Sequence, residues 1–221
     1  MKIHSLIVII AILFLQSQIA SAKILDGDCY NGRGVYLFEN GDLYIGNWNK
    51  GLKDGLGLYI WADRSGYYFG SWSANGMNGM GAYYSVKGEL IDLGIYENGD
   101  LNLSFLTNKN QPKKGNLYGD CLSNSGIFRW DNGSLYDGQW KNGNREGFGI
   151  YIWADGGVYD GLFSQNQIDI HGTMVWPNGN IYIGDFEQGT KSGYGTLYNS
   201  KGIILYQGKW KYDQQVKLGE D

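Results

Sequence analysis

The chain has 221 residues, of which 36 are glycine and only two are proline, and aromatic residues make up 15%. So many aromatic residues with so little proline exclude a disordered Pro/Gly-rich chain. The formal charge of −4, without a Lys/Arg cluster, excludes nucleic acid as a partner and makes anionic lipid a poor match.

The N-terminus has the organisation of a signal peptide. Lys2 precedes an unbroken apolar run at 6–15, and Ala20-Ser21-Ala22 forms a small-x-small cleavage signal. The apolar run is well short of the ~20 residues that span a bilayer. We therefore predict that residues 1–22 are removed and that the mature protein is exported to the periplasm, the cell surface or the medium. Loss of Lys2 would change the formal charge from −4 to −5.

A short motif, aromatic at both ends with a central glycine, then recurs along the chain. Successive copies are 23 or 24 residues apart, except across one interruption. The copies are Tyr44-x-Gly46-x-Trp48, Tyr68-x-Gly70-x-Trp72, Asp92-x-Gly94-x-Tyr96, Tyr136-x-Gly138-x-Trp140, Tyr159-x-Gly161-x-Phe163, Tyr182-x-Gly184-x-Phe186 and Tyr206-x-Gly208-x-Trp210. A longer duplication overlies them, since residues 27–63 match residues 119–155 without a gap at 18 of 37 positions.

Each copy continues into a second alternating segment. After Trp48 come Gly51, Gly55 and Gly57, followed by Tyr59 and Trp61. The full pattern, Tyr-x-Gly-x-Trp-x-x-Gly-x-x-x-Gly-x-Gly, resembles the MORN (membrane occupation and recognition nexus) repeat and covers 27–213. The resemblance implies a scaffold or partner-docking module. The sequence departs from it locally, most clearly at Asp92, which replaces the first tyrosine.

The alternation has a period of two residues, which is strand spacing. A polar, glycine-containing loop joins the two halves of each copy, so each copy predicts a β-hairpin, and Asn-Gly turns such as Asn40-Gly41 lead into the next one. We expect glycine inside these strands to leave room for an aromatic ring on the backbone. The predicted fold is all-β: an open array of stacked antiparallel hairpins, with the aromatic face buried between units.

The pattern fails at 101–118, where the aromatic column is missing. We predict an N-terminal sub-array at 23–100, an irregular linker or degenerate unit at 101–118, a C-terminal sub-array at 119–213 and a tail at 214–221. Whether the two sub-arrays form one continuous sheet is left open.

The residues suited to catalysis or metal binding are few. Cys29 and Cys121 occupy the same repeat position four units apart, too far for a disulfide in a straight array, so we favour two free thiols unless the linker folds back sharply. His171 is the single histidine of the predicted mature chain, which is too few for a zinc site with these thiols. The acids recur with the turns, whereas a catalytic pair would be singular. We expect no enzyme activity, no metal and no cofactor.

The aromatic column has the most potential for binding. Its members are Trp48, Trp72, Tyr96, Trp140, Phe163, Phe186 and Trp210. A regular stripe of rings can stack on a sugar chain or an extended peptide, although the same rings can equally form the core of the array, which we favour. We predict a non-enzymatic scaffold that binds a protein partner. Glycan or cell-wall binding is the alternative, membrane lipid fits less well, and exposed end strands favour end-to-end self-association.

Overall fold

The repeats form antiparallel strands in a computed structural model that describes residues 22–106 and 114–217. Most of the predicted signal peptide and the middle of the predicted linker lie outside the described residues. Sheet I is made of strands in chain order: β1 (Lys23–Gly27), β2 (Arg33–Leu37), β3 (Leu43–Asn49), β4 (Leu52–Ile60), β5 (Tyr67–Ser73), β6 (Gly76–Tyr84), β7 (Leu90–Glu97) and β8 (Asp100–Ser104).

Sheet II repeats this arrangement with strands that again pair in chain order. They are β9 (Gly115–Gly119), β10 (Ser125–Arg129), β11 (Leu135–Lys141), β12 (Asn144–Ile152), β13 (Val158–Ser164), β14 (Gln167–Val175), β15 (Ile181–Glu187), β16 (Thr190–Tyr198), β17 (Ile204–Lys211) and β18 (Gln214–Gln215). The predicted all-β array of antiparallel hairpins is confirmed, and it is open and divided between two sheets.

Five of the described hairpins are held by a tyrosine ring lying over a pair of glycines, and the tyrosines are Tyr44, Tyr68, Tyr136, Tyr159 and Tyr182. Gly46 on β3 pairs with Gly57 on β4, and a Cβ added at Gly57 would lie 2.3 Å from the hydroxyl oxygen of Tyr44. The Tyr44 side chain is fully buried and donates a hydrogen bond from its hydroxyl to the carbonyl oxygen of Asn47 at 3.1 Å. The expected use of glycine, to admit a ring onto the backbone, is therefore confirmed.

The two sheets pack face to face. Aliphatic side chains that alternate with the aromatic motif, such as Ile45 and Leu58 in sheet I and Ile150 and Ile183 in sheet II, form one buried cluster between them. Hydrogen bonds also cross the interface: the Tyr67 hydroxyl donates to the carbonyl oxygen of Gly156 at 2.7 Å, and that of Tyr198 to the carbonyl oxygen of Leu25 at 2.8 Å.

The packing answers the question that the sequence left open: the two sub-arrays form two sheets, and each sheet buries its aliphatic face as well as its aromatic face. The two sheets pack on their aliphatic faces, because these side chains are too apolar to be left in water. The aromatic faces point away from the interface and pack within their own sheets as two separate clusters. Strands β8 and β9 lie largely within the predicted linker and form the facing edges of the two sheets, while β18 lies in the predicted tail.

Candidate functional site

All seven rings of the predicted aromatic stripe are buried. Their side chains are between 3% and 8% exposed, in the order Trp48 8%, Trp72 6%, Tyr96 6%, Trp140 7%, Phe163 3%, Phe186 4% and Trp210 4%. Within a sheet they alternate with the repeat tyrosines in edge-to-face contacts, as in the pair Tyr136 and Trp140, whose ring centroids are 5.1 Å apart. These rings form the core of the aromatic face, which is the alternative that the sequence favoured. A direct ligand contact for them stays a prediction.

The more exposed rings belong to a second column, at the last position before each Asn-Gly or related turn. They are half-buried, and the column comprises Phe38 and Trp61 in sheet I and Trp130, Trp153 and Trp176 in sheet II. Each is held by a backbone hydrogen bond across its turn: the Trp130 amide donates to the carbonyl oxygen of Ser134 at 2.9 Å and the Trp153 amide to that of Gly157 at 2.9 Å. We call Trp130, Trp153 and Trp176 the tryptophan ladder.

The ladder was missed in the sequence, although its signal is present there. Trp61 and Trp153 follow Tyr59 and Tyr151 at strand spacing, on the same face as the motif. Each of these rings stands on the residue that follows the end of a strand, where it stays partly exposed to solvent. The position of these rings directly before a turn was therefore the signal that could have favoured this column over the central one.

Basic side chains lie among the rings of alternate hairpins. Register places Lys53 opposite Trp48, Arg145 opposite Trp140 and Lys191 opposite Phe186, whereas Met77 and Ile168 stand at the same position opposite Trp72 and Phe163. Each cation therefore occupies a place that an apolar side chain fills in the neighbouring hairpin.

The cations make close contacts with several ring faces. The Lys53 ammonium lies 4.2 Å from the ring centroid of Trp72 and 4.5 Å from that of Tyr59. The Arg145 guanidinium lies 4.9 Å from the Tyr151 centroid. Burial lowers the pKa of Lys53 to about 8 and also lowers the pKa of Arg145. Cation–π attraction offsets part of this desolvation cost, so the chain's own side chains already fill these aromatic cages.

A groove of about 860 Å³ opens on the aromatic face of sheet II. Its walls include Phe128, Trp130, Arg145 and Tyr151, and Asn116, Asn132 and Asn166 supply polar groups. The size suits a ligand segment of several groups, with apolar walls and a few convergent hydrogen-bonding side chains.

The remaining sequence candidates are scattered. Cys29 lies in the aromatic cluster of sheet I and Cys121 against that of sheet II, and both thiols are free. Burial raises the pKa of each thiol to about 11, so neither is an activated nucleophile. Within 22–106 and 114–217, no group of His, Cys, Asp and Glu is arranged to hold a metal ion.

His171 lies at an edge of the sheet interface. Its Nδ1 is 3.1 Å from Asp185 Oδ1 and its Nε2 is 3.7 Å from Asp26 Oδ2. The carboxylates of Asp26 and Asp185 raise the pKa of His171 to about 8, against the opposing effect of burial. Asp26 belongs to sheet I and His171 to sheet II, so this contact joins the two sheets.

Residues 22–106 and 114–217 contain no helix with the length and apolar character needed to span a bilayer.

Comparison with known proteins agrees with the repeat seen in sequence and structure. The MORN repeat model matches residues 30–43, 44–66, 68–89, 136–158, 159–181 and 182–203, which together are more than half of the chain. Alsin of Homo sapiens is 29% identical over 122 residues, covering 53% of this chain but only 6% of alsin. MORN repeat-containing protein 3 of Xenopus laevis is 38% identical over 64 residues, which are 27% of each protein.

Solved structures resemble the chain only distantly. The TCP domain of SAS-4 from Drosophila melanogaster, in complex with a proline-rich motif of Ana2, is 8% identical with a TM-score of 0.25, covering 83% of this chain and 86% of that one. The TCP10 domain of Danio rerio CPAP gives a TM-score of 0.20. These scores are too low to support an argument about fold or function. On its six matching repeats, the chain belongs to the MORN repeat family, whose repeats mediate protein or membrane-lipid interactions.

Proposed function

We propose that this protein is an exported, non-enzymatic binding module that holds an extended segment of a protein partner along the tryptophan ladder of sheet II. The observation that carries the proposal is the ladder itself: Trp130, Trp153 and Trp176 recur in repeat register on one face, half-buried. Rigid aromatic side chains offer contact area at a low cost in conformational entropy, and tryptophan dominates many protein interfaces.

The chemistry of the groove favours a partner segment with apolar side chains. Arg145 already occupies the cage formed by Trp130, Tyr136, Tyr151 and Phe163, so a cationic ligand group gains nothing there. The neighbouring asparagine amides can donate and accept hydrogen bonds, which suits peptide groups. An extended strand presents alternate side chains to such a face.

We propose export because of the N-terminal sequence. We propose that the protein is not an enzyme because its polar residues recur with the repeat. The signal-like segment at 1–22 would direct the chain out of the cytoplasm. Many of the acids occur at recurring turns, where they accept backbone hydrogen bonds. Asp155 Oδ1, for example, accepts from the Gly157 amide at 2.9 Å.

The first test is capture of a partner by the mature chain, residues 23–221, from the envelope fraction of its own organism. Half of that fraction is treated with protease beforehand. We expect a specific captured species that disappears after protease treatment. Capture that survives the treatment would instead indicate glycan or lipid, and would overturn the proposal of a protein partner.

Ladder variants decide whether the captured partner uses the proposed face. Trp130→Ala and Trp153→Ala should each weaken binding of the purified partner at least about tenfold, which is typical of an interface hot spot. Trp61→Ala, at the same repeat position of sheet I, is the matched control and should bind normally. Equal losses from all three variants would show that the ladder of sheet II is not the site.

Glycan binding is the alternative and is tested by tryptophan fluorescence. Polysaccharide that stacks on half-buried indoles would change their emission on titration, and this change should be lost in Trp153→Ala. Lipid binding is tested by flotation with anionic vesicles at low salt, and we expect the acidic chain to remain unbound.

A further inference from the structure

Two carboxylates point into the interface between the sheets from equivalent places in the repeat. Asp137 and Asp160 each stand directly before the first glycine of a hairpin, where sheet I has Ile45, Phe69 and Leu93. Both carboxylates pair in register with Ile150, the buried residue between them on β12. They therefore lie in one row on the inward face of sheet II.

Asp160 has a cationic partner. The Arg33 guanidinium, from strand β2 of sheet I, donates a hydrogen bond to Asp160 Oδ1. The same guanidinium lies 4.4 Å from the ring centroid of Phe148. Asp160 is thus paired with a cation that also lies against an aromatic face, although Asp160 Oδ2 has no hydrogen-bond partner among the described residues.

Asp137 lacks such a partner in the part of the chain that the structure describes. Its Oδ2 accepts a hydrogen bond from the Tyr84 hydroxyl at 2.7 Å, and no ion pair joins it to a described lysine or arginine. Burial raises the pKa of Asp137 to about 6, with the Tyr84 hydrogen bond opposing the shift. At neutral pH this carboxylate is largely charged in an apolar setting, which is unfavourable without a counterion.

A cleft of about 300 Å³ lies beside Asp137 between the two sheets. Sheet I contributes Leu56, Phe69 and Met80 to its lining, and sheet II contributes Ile127, Asp137 and Phe148. This volume is at the lower end of small-molecule sites, and walls of this kind suit an apolar ligand with one polar group.

The duplication explains why the cleft has no cation of its own. Ser125 stands 92 residues after Arg33, at the same position of the matching segment, and it lines this cleft. Ser125 pairs with Gln139 and Ile127 pairs with Asp137, so Ser125 is diagonal to Asp137 on neighbouring strands, within reach of a long side chain. Sheet I therefore has the guanidinium of Arg33 at this position, whereas sheet II has the short hydroxyl side chain of Ser125, which leaves space in the cleft.

We propose that the cleft between the sheets binds a small organic ammonium ion with an apolar body, whose charged group pairs with Asp137. The apolar body lies among Leu56, Phe69 and Met80, and the cation lies near the ring of Phe148, as Arg33 does on the side of Asp160. This site is separate from the aromatic faces and does not depend on the proposed partner binding.

The test compares 2-phenylethylammonium with 2-phenylethanol, which has the same shape but no charge, by isothermal titration calorimetry at about pH 7.5, where Asp137 is ionised. We expect saturable binding of the ammonium ion and at least tenfold weaker binding of the alcohol. Asp137→Asn should weaken ammonium binding at least tenfold, since its amide oxygen still accepts from Tyr84 but carries no charge. Asp131→Asn, at an exposed carboxylate of sheet II, is the control and should bind normally.

A second variant keeps the test decisive if Asp137→Asn fails to fold. Ser125→Arg places in sheet II the guanidinium that sheet I carries, and it should abolish ammonium binding while raising the midpoint of thermal unfolding. Equal binding of ammonium ion and alcohol would overturn the proposal, as would binding unaffected by Asp137→Asn or Ser125→Arg. Absence of ammonium binding up to about 10 mM, weaker than any useful site, would also overturn it.

Discussion

Sheets I and II descend from the same repeat and differ in what the repeat positions carry. The tyrosine over its glycine pair is present in both, as Tyr44 and Tyr68 in one and Tyr136, Tyr159 and Tyr182 in the other. The pre-turn column is Phe38, Trp61 and Ser85 in sheet I, and Trp130, Trp153, Trp176 and Asn199 in sheet II. The inward column is wholly apolar at Ile45, Phe69 and Leu93 in sheet I, whereas sheet II has Asp137 and Asp160 there.

This difference distinguishes two kinds of repeat position. Some positions are required for the hairpin to form, whereas at others, which we call displayed positions, the hairpin accepts different side chains. Tyrosine and glycine must fit each other to within a few tenths of an ångström, so they cannot vary independently. Rings before the turn and side chains facing the other sheet have more freedom. Sheet II uses that freedom for the ladder and for its inward-facing carboxylates, which is where both of our proposed binding sites lie.

The largest effect on stability is expected from a substitution at a position that the hairpin requires. Tyr136→Ala removes a fully buried ring and should lower the free energy of unfolding by about 3–5 kcal/mol, because the space between Gly138 and Gly149 cannot collapse. Trp153→Ala, at a displayed position, should cost only about 1–2 kcal/mol. Urea unfolding measures both, and equal losses would contradict the distinction between the two kinds of position.

The next largest effect on stability is expected at the ion pair between Arg33 and Asp160, which joins the two sheets. Arg33→Met leaves the carboxylate of Asp160 buried without its cation and should cost about 3 kcal/mol of unfolding free energy. The double variant Arg33→Met with Asp160→Leu should recover most of that loss. Lys114→Met, which breaks an exposed pair with Asp131, is the matched control and should change stability by less than about 1 kcal/mol.

The hairpins could be predicted from sequence because their causes are local. The period-two alternation around Gly46 and the Asn40-Gly41 turn specify strand, face and connection within about twenty residues. The packing of the two sheets has no such local signal. Arg33 and Asp160 are 127 residues apart in sequence, and nothing in either repeat alone indicates the other. The period-two alternation places Leu58 and Ile60 on one face of their strand, but nothing local indicates which surface covers that face.

The site was predicted only in part for a related reason. Trp48 and its equivalents were recognised as a regular aromatic column. In the structure their side chains are buried, with 3–8% of their surface exposed. Exposure depends on whether another hairpin stacks outside a ring, which spacing within one repeat does not reveal. The position of Trp61 and Trp153 before the turn was the available signal for exposed rings.

A smaller effect should stabilise the protein. Because burial raises the pKa of Asp137 to about 6, above its ordinary value of 3.8, ionising this group costs folding free energy as the pH rises from about 4 to about 6. Asp137→Asn should therefore raise the unfolding free energy by on the order of 1–3 kcal/mol at about pH 7.5 and have little effect at about pH 3.5. Denaturant unfolding at both values measures this. A gain that is the same at both would show that the charge is not responsible.

The smallest effect concerns the edge where His171 meets both sheets. Asp26 and Asp185 raise the pKa of His171 from 6.5 to about 8, so the protonated ring stabilises the fold fully below about pH 6.5, and this contribution is lost as the pH rises through about 8. His171→Gln should lower the unfolding free energy by less than about 1 kcal/mol at about pH 6, because the three groups are half exposed, and by nothing at about pH 9. Asp26→Asn removes only the partner in sheet I, and it should reproduce part of the same pH-dependent loss. If His171→Gln is pH-dependent but Asp26→Asn is not, the histidine interacts with Asp185 alone, and the contact then stabilises sheet II without joining it to sheet I.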